Sequence, residues 1–504
     1  MTASARFRSR AIGVFLIAGL LPLGALRGVS APAPVLILGP MLGHVSETEA
    51  NVWIRGSGPA RWGVQISESP DLAHSRRILG RDLAEGEGFN SSVSIPGLHA
   101  GQRYHYTVLL NGKPAILPPY PSFTTAPAPG GPQHLRFAFI SCSGYAPHDP
   151  AAGWADLSLR TNYDLILQLG DNHYANSTQL QKQRDGYLGQ RLCSSFREAT
   201  SRVPVYGIWD DHDFAENDSD STVPGREEIF RAFKEHWANP AYGEPGNPGV
   251  YFKFTRGDVE FFMLDDRYYR SPNLQTNNPA KTMLGARQVA WLKESLGASK
   301  ARIKILAAGG EWESNGTPDS WTSFPRERDE ILGFIRDRGI EGVLLISGDR
   351  HFTAGYQVQK RFIEITSGPF GAGMAESRNL PEMFSNHGKG HFYCIYDIDT
   401  RPAQPTATIE MYQIGIGLVG AGHVSVRLEQ PGDDLDGLGR RRAALEAEAE
   451  QVHADQGAGA LRLGLGVDGL VADDDAVLVG AHLGAPDPEG TRQQHGMGAG
   501  DLGD

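Results

Sequence analysis

Short apolar runs alternate with longer helical patterns through the central part of the 504-residue sequence. A strand with one face in water alternates polar and apolar residues, so runs that are almost continuously apolar predict strands covered on both faces. The helical patterns between the runs supply this cover, which is typical of an α/β fold. The predicted strands span 135–141, 163–170, 203–209, 259–265, 302–308 and 341–348, and the predicted helices span 226–237, 285–296 and 325–339. Later strand-like runs extend the predicted α/β domain, which begins at residue 135, to residue 430.

Residues 32–127 have a different pattern, in which short alternating runs are separated by Gly, Asn and Pro. Period-two alternation at this spacing predicts an antiparallel β-sandwich. The segment 97–106 resembles the tyrosine-bearing turn of fibronectin type III-like modules, and the sandwich region carries no obvious reactive cluster. We therefore predict a structural or accessory fibronectin type III-like module, joined to the α/β domain by a linker at 128–134.

Residues 1–31 have the layout of a secretory signal peptide. Arg6, Arg8 and Arg10 precede an apolar run at 11–26, and small residues follow it. An uncleaved membrane anchor is the alternative, although the run is short for a membrane span. We expect an exported protein, periplasmic or extracellular, without a stable membrane span once the signal is removed. The arginines alternate with other residues and form no Arg-Arg pair, which leaves the export route open.

The tail at 431–504 differs from the rest of the chain in composition and charge. It lacks aromatic residues, and it holds 15 of the 59 acidic residues but 5 of the 47 Lys and Arg residues. Its low complexity predicts disorder, or an artefact such as a shifted reading frame, and we assign it no chemistry.

The net charge of −12 argues against a nucleic-acid-binding protein, which needs clustered Lys and Arg. The 3 cysteines are too few for a disulfide framework.

Polar residues that can bind metals follow four of the predicted strands. They are Cys142, then Asp171 and Tyr174, then Asp210, Asp211 and His212, and finally Asp349 and His351. Taken singly, each has an ordinary explanation as a buried Cys, a turn, a helix cap or a surface group. Because reactive groups of open α/β sheets lie beyond the carboxyl ends of the strands, their joint occurrence predicts one site at one edge of one sheet. We interpret His173, between Asp171 and Tyr174, as a solvent-facing loop residue, with a residue that supports the ligands without binding metal as the alternative.

These motifs resemble those of the calcineurin-like metallophosphoesterase superfamily, and within it the PhoD-type alkaline phosphatases and phosphodiesterases. The superfamily uses a strand-end ligand, then Gly-Asp-x-x-Asp or Gly-Asp-x-x-Tyr, then Gly-Asn-His-Glu, a lone His and Gly-His-x-His. The corresponding segments here are 141–142, 170–174, 210–213 and 348–351, with further resemblance at 262–270 and 319–321. The resemblance implies a four-layer αββα metallophosphoesterase domain after the sandwich, with a dinuclear or larger metal centre of Fe³⁺ and Ca²⁺.

The resemblance also implies which residues bind the metals. Asp171 would bridge two metals, and Cys142, Tyr174 and His351 would complete the first position. Thiolate and phenolate are anionic donors that suit a trivalent iron. Asp211 and Asp349 would form the second position, where the superfamily more often has Asn and His. Oxygen in place of nitrogen moves this position towards calcium.

The implied activity is hydrolysis of phosphate monoesters, and possibly of diesters, by attack of a metal-held hydroxide. His212 would donate a proton to the departing oxygen. Arg267 would stabilise charge on the phosphoryl oxygens, unless it forms an ion pair with a neighbour such as Asp265. The expected fourth-motif His is missing, and Glu311 is a weak candidate for its place. Asp213 stands where the superfamily more often has Glu.

Two other functions remain open at this point. A phospholipase D-like phosphodiesterase would use the same site, because pocket shape decides between the activities. A secreted binding protein with a degenerate phosphoesterase domain would not be catalytic, and the missing fourth-motif His is its sole support. The natural substrate and the oligomeric state are not encoded in any motif that we identify.

Overall fold

The apolar runs form strands where their patterns predict them. The structure, a computed structural model, describes residues 32–144, 150–314 and 316–424. The predicted signal peptide at 1–31 and the predicted tail at 431–504 lie outside the described residues. None of the helices in the described part of the chain combines the length and apolar character that a membrane crossing requires.

Two antiparallel sheets make up the N-terminal region. Its strands are β1 (Leu36–Val45), β2 (Glu49–Gly56), β3 (Trp62–Ser67), β4 (Arg76–Leu79), β5 (Asn90–Pro96), β6 (Arg103–Leu110), β7 (Lys113–Pro114) and β8 (Ser122–Thr124). One sheet has the order β1-β2-β5, and the other has the order β4-β3-β6-β7, with β8 also paired to β6. In the predicted turn, the Tyr104 hydroxyl accepts a hydrogen bond from the His99 N–H at 3.0 Å. The two-sheet arrangement agrees with the predicted sandwich, whereas its fibronectin type III-like class stays a prediction.

The α/β domain follows. Its elements are β9 (His134–Ile140), α1 (Ala151–Leu159), β10 (Leu165–Leu169), α2 (Leu180–Arg191), α3 (Ser194–Thr200), β11 (Val205–Ile208), α4 (Asp211–Phe214), α5 (Arg226–His236), β12 (Gly243–Glu244), β13 (Asn247–Pro248), β14 (Phe252–Arg256), β15 (Val259–Met263), α6 (Ala286–Ala298), β16 (Ile303–Ala307), α7 (Pro325–Asp337), β17 (Val343–Ser347), β18 (Thr353–Val358), β19 (Phe362–Thr366), β20 (Met383–His387), β21 (Phe392–Asp399), β22 (Thr406–Gln413) and β23 (Gly417–Val424). Each of the three predicted helices and six predicted central strands is present, with bounds that shift by a few residues.

The α/β domain contains two large sheets. The first has the order β11-β10-β9-β21-β22-β23, and the second has the order β14-β15-β16-β17-β19-β18-β20. Strands β9, β10 and β11 are parallel, as are β15, β16, β17 and β19. The prediction that all ligand-bearing strands share one sheet is therefore wrong, because β9, β10 and β11 belong to the first sheet and β17 to the second.

The two sheets pack face to face, and helices cover them. Successive residues of β15 point to opposite faces of the second sheet. Phe261 contacts Phe137 of the first sheet, with ring centroids 5.2 Å apart. Phe262 instead joins a core formed with α6 and α7, through residues such as Leu292 and Leu332. Helices α1, α2, α3 and α5 contribute to the core of the first sheet.

The N-terminal region packs closely on the α/β domain through a buried tryptophan. Trp53 of β2 is fully buried, and its Nε1–H donates to the Glu235 carbonyl at 2.8 Å. The guanidinium of Arg191, also buried, lies 5.0 Å from the Trp53 ring and 4.6 Å from the Trp237 ring. The two parts of the chain thus share an aromatic cluster around one buried cation.

We expect the substitution Trp53→Ala to lower the free energy of unfolding by about 3–5 kcal/mol, because it leaves a cavity beside Arg191 and removes a face of its aromatic surroundings. Denaturant titration of the purified protein measures the change. Leu79→Ala is the matched control, since Leu79 is 80% exposed and its loss should alter stability by less than about 0.5 kcal/mol. Equal stability of the two variants would show that the packing of Trp53 beside Arg191 contributes little to the free energy of unfolding.

Candidate metal centre

The facing edges of the two sheets bring the predicted ligands of the first metal position together. One sulfur, one carboxylate oxygen and one ring nitrogen, from Cys142, Asp171 and His351, all lie within 4.8 Å of one another. The Tyr174 hydroxyl completes this set: it donates to Asp171 Oδ2 at 3.0 Å and lies 2.8 Å from His351 Nε2. The first sheet supplies three of these residues and the second sheet supplies His351, so the group depends on how the sheets pack.

A second group of oxygen donors adjoins the first. Ligand atoms of Asp210, Asp211 and Asp349 lie within 4.8 Å of one another, and a further set within the same limit joins Asp171, Asp211 and His212. Asp171 therefore lies between the first group and Asp211 of the second, which is the position that a bridging carboxylate requires. Asp210 is predicted among the residues that can bind metals but is assigned to neither position, and the structure places it in the second group.

The backbone is held in an uncommon conformation at four of the ligand positions. Cys142, Asp171, Asp349 and His351 have φ values of 51°, 51°, 70° and 54°. Residues other than Gly adopt this left-handed region rarely, and such outliers cluster at functional sites. Gly170, just before Asp171, has φ of 101°, and a Cβ there would lie 2.4 Å from the Asp210 Cβ. The close approach of the two loops thus requires glycine at position 170.

The electrostatics of these groups favour bound cations. Burial, followed by the charge of Asp211, raises the pKa of Asp171 well above its ordinary value. The same causes raise the pKa of Asp349 to about 7, and burial raises the pKa of the Cys142 thiol to about 12. Shifts of this direction arise where anionic groups are crowded without opposite charge, and metal ions reverse them.

Two buried oxygen atoms provide a test of whether the residues fit a metal. Within the described residues, Asp210 Oδ2 and Asp349 Oδ2 accept no hydrogen bond although both are buried. Buried acceptors normally have partners, and coordination of a cation would satisfy both atoms. The sulfur, phenol and imidazole donors of one group suit iron, and the carboxylates of the other suit calcium. The residues therefore fit the predicted pair of metals.

His212 lies at the rim of the site and is half-buried. Its backbone N–H donates to Asp171 Oδ1 at 3.3 Å, and its ring centroid is 4.2 Å from that of Tyr174. The ring Nδ1 lies 2.7 Å from Asn176 Oδ1. Burial lowers the pKa of His212. A partly exposed imidazole beside both ligand groups is accessible to a substrate.

Arg267 is fully buried and does not face the open side of the site. Its Nε donates to Asp210 Oδ1, and its Nη2 donates to Asp319 Oδ2 at 2.7 Å. It is thus ion-paired, but not with the side chain of Asp265, which instead accepts from Trp209 Nε1 at 2.7 Å. This geometry corrects the expected direct contact with phosphoryl oxygens: Arg267 instead holds Asp210 beside the acidic group.

The structure also shows the surroundings of three other residues near the predicted motifs. His173 is fully buried against Tyr187, with ring centroids 4.3 Å apart, so the prediction of a solvent-facing residue is wrong. Glu311 is buried and accepts a hydrogen bond from the Tyr356 hydroxyl at 2.7 Å. Among the described residues it joins none of the potential ligand groups. Asp213 accepts hydrogen bonds from the backbone N–H of Asn172, in the neighbouring loop, and from that of Asp210, in its own segment, which positions the segment around Asp210.

The sequence also left Arg350 without a role. It lies between two predicted ligands, with Nε 3.1 Å from Glu311 Oε2 and Nη1 3.7 Å from Asp349 Oδ2. Its side chain is 19% exposed. Its position in the motif between Asp349 and His351 is the signal that could have identified it. Arg350 is a partly accessible cation at the second ligand group.

Comparisons with known proteins agree with this architecture. Residues 137–394 match the family of PhoD-like phosphatases, and residues 33–128 match a domain of unknown function, DUF7800. Alkaline phosphatase D of Bacillus subtilis (strain 168) is 27% identical over 371 residues, which cover 62% of this chain and 62% of that protein. Purple acid phosphatase 23 of Arabidopsis thaliana is 29% identical over 224 residues, covering 42% of this chain and 45% of its own length. Both alignments thus span less than two thirds of the relative.

Two solved structures share the fold. A structure of PhoD superposes with a TM-score of 0.62 at 18% identity and covers 82% of this chain and 97% of its own. The purple acid phosphatase PPD1 from yellow lupin (Lupinus luteus) seeds superposes with a TM-score of 0.60 at 13% identity, covering 80% of this chain and 78% of its own. The two packed sheets, the convergent ligand loops and the match over 137–394 lead to one conclusion. The chain belongs to the PhoD-like phosphatase family.

Proposed function

We propose that this protein is an exported, metal-dependent phosphoesterase that hydrolyses phosphate monoesters and, as a further activity, diesters. One observation carries the proposal: two groups of metal-binding side chains converge at the facing edges of the two sheets, and Asp171 lies close both to Cys142 and His351 of the first group and to Asp211 of the second. Family membership and the phosphatase names of the relatives support the reaction class. The signal-like pattern of residues 1–31 supports export to the periplasm or the exterior.

The proposed ligands form two sets whose donor atoms suit different metals. Cys142, Tyr174 and His351 would hold Fe³⁺, Asp211 and Asp349 would hold Ca²⁺, and Asp171 would touch both. When bound, such a centre supplies Lewis acidity towards phosphoryl oxygens and lowers the pKa of water. Asp210 would add an oxygen donor on the calcium side, since its Oδ2 accepts no hydrogen bond from the described residues.

Protein side chains would carry out proton transfer and substrate binding in this reaction. His212 would give a proton to the departing alkoxide, a role that typically contributes about 10²- to 10⁴-fold. Arg350, partly exposed beside Asp349, would attract the substrate phosphate. Arg267 would act from behind the site, because its buried guanidinium fixes Asp210. The intact donor set argues against a degenerate, non-catalytic domain.

Metal removal provides the direct test of this proposal. We expect the purified holoprotein to hydrolyse p-nitrophenyl phosphate and, more slowly, its bis ester. Dialysis against a calcium chelator should lower both rates at least about 100-fold, and Ca²⁺ alone should restore them if iron stays bound. Mg²⁺ is the control addition, because its stricter octahedral geometry suits this carboxylate set less well. If neither ester is hydrolysed under any metal condition, the proposed phosphoesterase activity is excluded.

Metal content distinguishes the two positions. Elemental analysis should find iron that survives the chelation, together with calcium that does not. Tyr174→Phe should weaken any visible absorption that arises from phenolate coordination to Fe³⁺ and should leave calcium content unchanged. Loss of calcium and retention of the absorption in this variant would contradict the assigned division.

A further inference from the structure

The ring of His212 is engaged by a residue outside the ligand groups. Asn176 lies in the loop between β10 and α2, five residues after Asp171, and its φ is 47°. Its Oδ1 is 2.7 Å from His212 Nδ1. The same loop carries Tyr174, whose ring packs against the His212 ring at 4.2 Å. One loop therefore supplies both a ring contact and a hydrogen-bond partner to this imidazole.

The hydrogen bond determines which ring nitrogen is available. An amide oxygen accepts hydrogen bonds and cannot donate them, so Nδ1 must carry the hydrogen in this contact. The remaining nitrogen, Nε2, is then the atom that a substrate can reach. The tautomer of a histidine is commonly fixed in this way by the partner of its second nitrogen.

Other polar side chains near His212 belong to the potential metal ligands. They include Asp171 and Asp211, whose ligand atoms lie within 4.8 Å of a His212 ring nitrogen, and Tyr174, whose ring packs against the imidazole. The His212 backbone N–H donates to Asp211 Oδ1 at 2.9 Å and to Asp171 Oδ1 at 3.3 Å. Backbone and ring are thus fixed by different residues, and within the described residues the ring hydrogen bond is made by Asn176.

We propose that Asn176 is a positioning residue that fixes the orientation and tautomer of His212 for proton donation to the leaving group. This inference rests on the proposed function. In the reaction step the oxygen of a water-derived hydroxide forms a bond to phosphorus as the P–O bond to the alcohol breaks. His212 begins this step as imidazolium; its Nε2–H bond breaks, and an O–H bond forms on the departing oxygen. The imidazole is left neutral with its hydrogen on Nδ1, which is the tautomer that Asn176 Oδ1 already binds. No rearrangement of the ring is needed.

Leaving groups of different acidity separate this role from general damage to the site. A poor leaving group needs the proton, whereas 2,4-dinitrophenolate departs readily without it. We expect Asn176→Ala to lower kcat on phenyl phosphate by about 10- to 100-fold and to change kcat on 2,4-dinitrophenyl phosphate less than about threefold. Asn176→Asp retains an acceptor oxygen and should stay within about tenfold of the wild-type kcat on phenyl phosphate. Asn162→Ala, at an exposed position, is the control and should match wild type on both esters.

A double variant tests whether Asn176 acts through His212. Because the two residues would act as a unit, Asn176→Ala should cause little further loss in a His212→Ala background. Equal losses on the two esters, additive losses in the double variant, or reduced metal content in Asn176→Ala would each overturn the inference. Failure of the proposed function gives a different result, since wild-type protein would then hydrolyse neither ester.

Discussion

Replacing Asp171 with Asn is expected to lower kcat/KM for p-nitrophenyl phosphate by at least about 10³-fold. The side chain belongs both to the group with Cys142 and His351 and to the group with Asp211 and His212. A carboxylate neutralises charge on both sides, whereas an amide is neutral and offers one acceptor oxygen. Loss of several kcal/mol of charge stabilisation corresponds to about three powers of ten in rate.

Although Asp171→Asn should lower the reaction rate, it should preserve or raise the stability of the fold when metal is absent. Burial and the charge of Asp211 raise the pKa of Asp171, so its ionised form is disfavoured in the folded state. A raised carboxyl pKa costs stability as the pH rises above the unfolded value. Metal-free Asp171→Asn should therefore be at least as stable as metal-free wild type at neutral pH, and thermal unfolding after chelation measures this.

Asp82→Asn is the matched control for the charge change, because Asp82 is exposed in the N-terminal region. It should alter neither kcat/KM nor metal content. Loss of activity in Asp171→Asn, together with a metal-free stability at least equal to that of wild type, would support the assigned bridge. Full activity in that variant would contradict the site, whereas a fall in apo stability would indicate that the fold has been damaged instead.

The central strands could be predicted because their apolar runs are continuous, but the way they form two sheets could not. Phe261 and Phe262 are adjacent and both buried, one against the first sheet and one against helices. Apolar character on both faces shows that each face is covered, yet it does not identify the cover. Strand β21 pairs with β9 across more than 250 residues, and no local pattern encodes such a partner.

The candidate site shows the same division between local and long-range information. Strand-end positions identified Cys142, Asp171 and His351, because ligands beyond carboxyl ends are a local pattern. The partners of Arg267 and His212 depend on how distant loops meet, and the sequence did not specify them. His173 was misassigned for the same reason: the residues that bury it come from α2 and not from its own loop.

Removing the charge of Arg267 is expected to cause the largest loss of stability among single substitutions near the site. We expect Arg267→Met to lower the free energy of unfolding by about 3–5 kcal/mol at pH 8, since it preserves much of the volume but removes the buried cation that pairs with Asp210 and leaves Asp319 with Arg270 alone. Asp210 and Asp319 both bind this guanidinium, and all three side chains are buried. Arg336→Met is the control, because its exposed pair with Asp337 should contribute less than about 1 kcal/mol.

The pH dependence of this loss distinguishes a charge effect from a packing effect. Burial alone would raise the pKa of Asp319, but Arg267 and Arg270 hold it below its ordinary value. In wild type this carboxylate therefore contributes stability above its unfolded pKa of about 3.8, and the contribution is lost as the pH falls further.

Without Arg267, burial should raise the pKa of Asp319 and of Asp210, so that both take up protons in the folded state at a higher pH. The difference in stability between wild type and Arg267→Met should consequently shrink between pH 8 and pH 5 when both are measured free of metal. A difference that stays constant over this range would assign the loss to packing, because removal of a side-chain volume does not depend on pH.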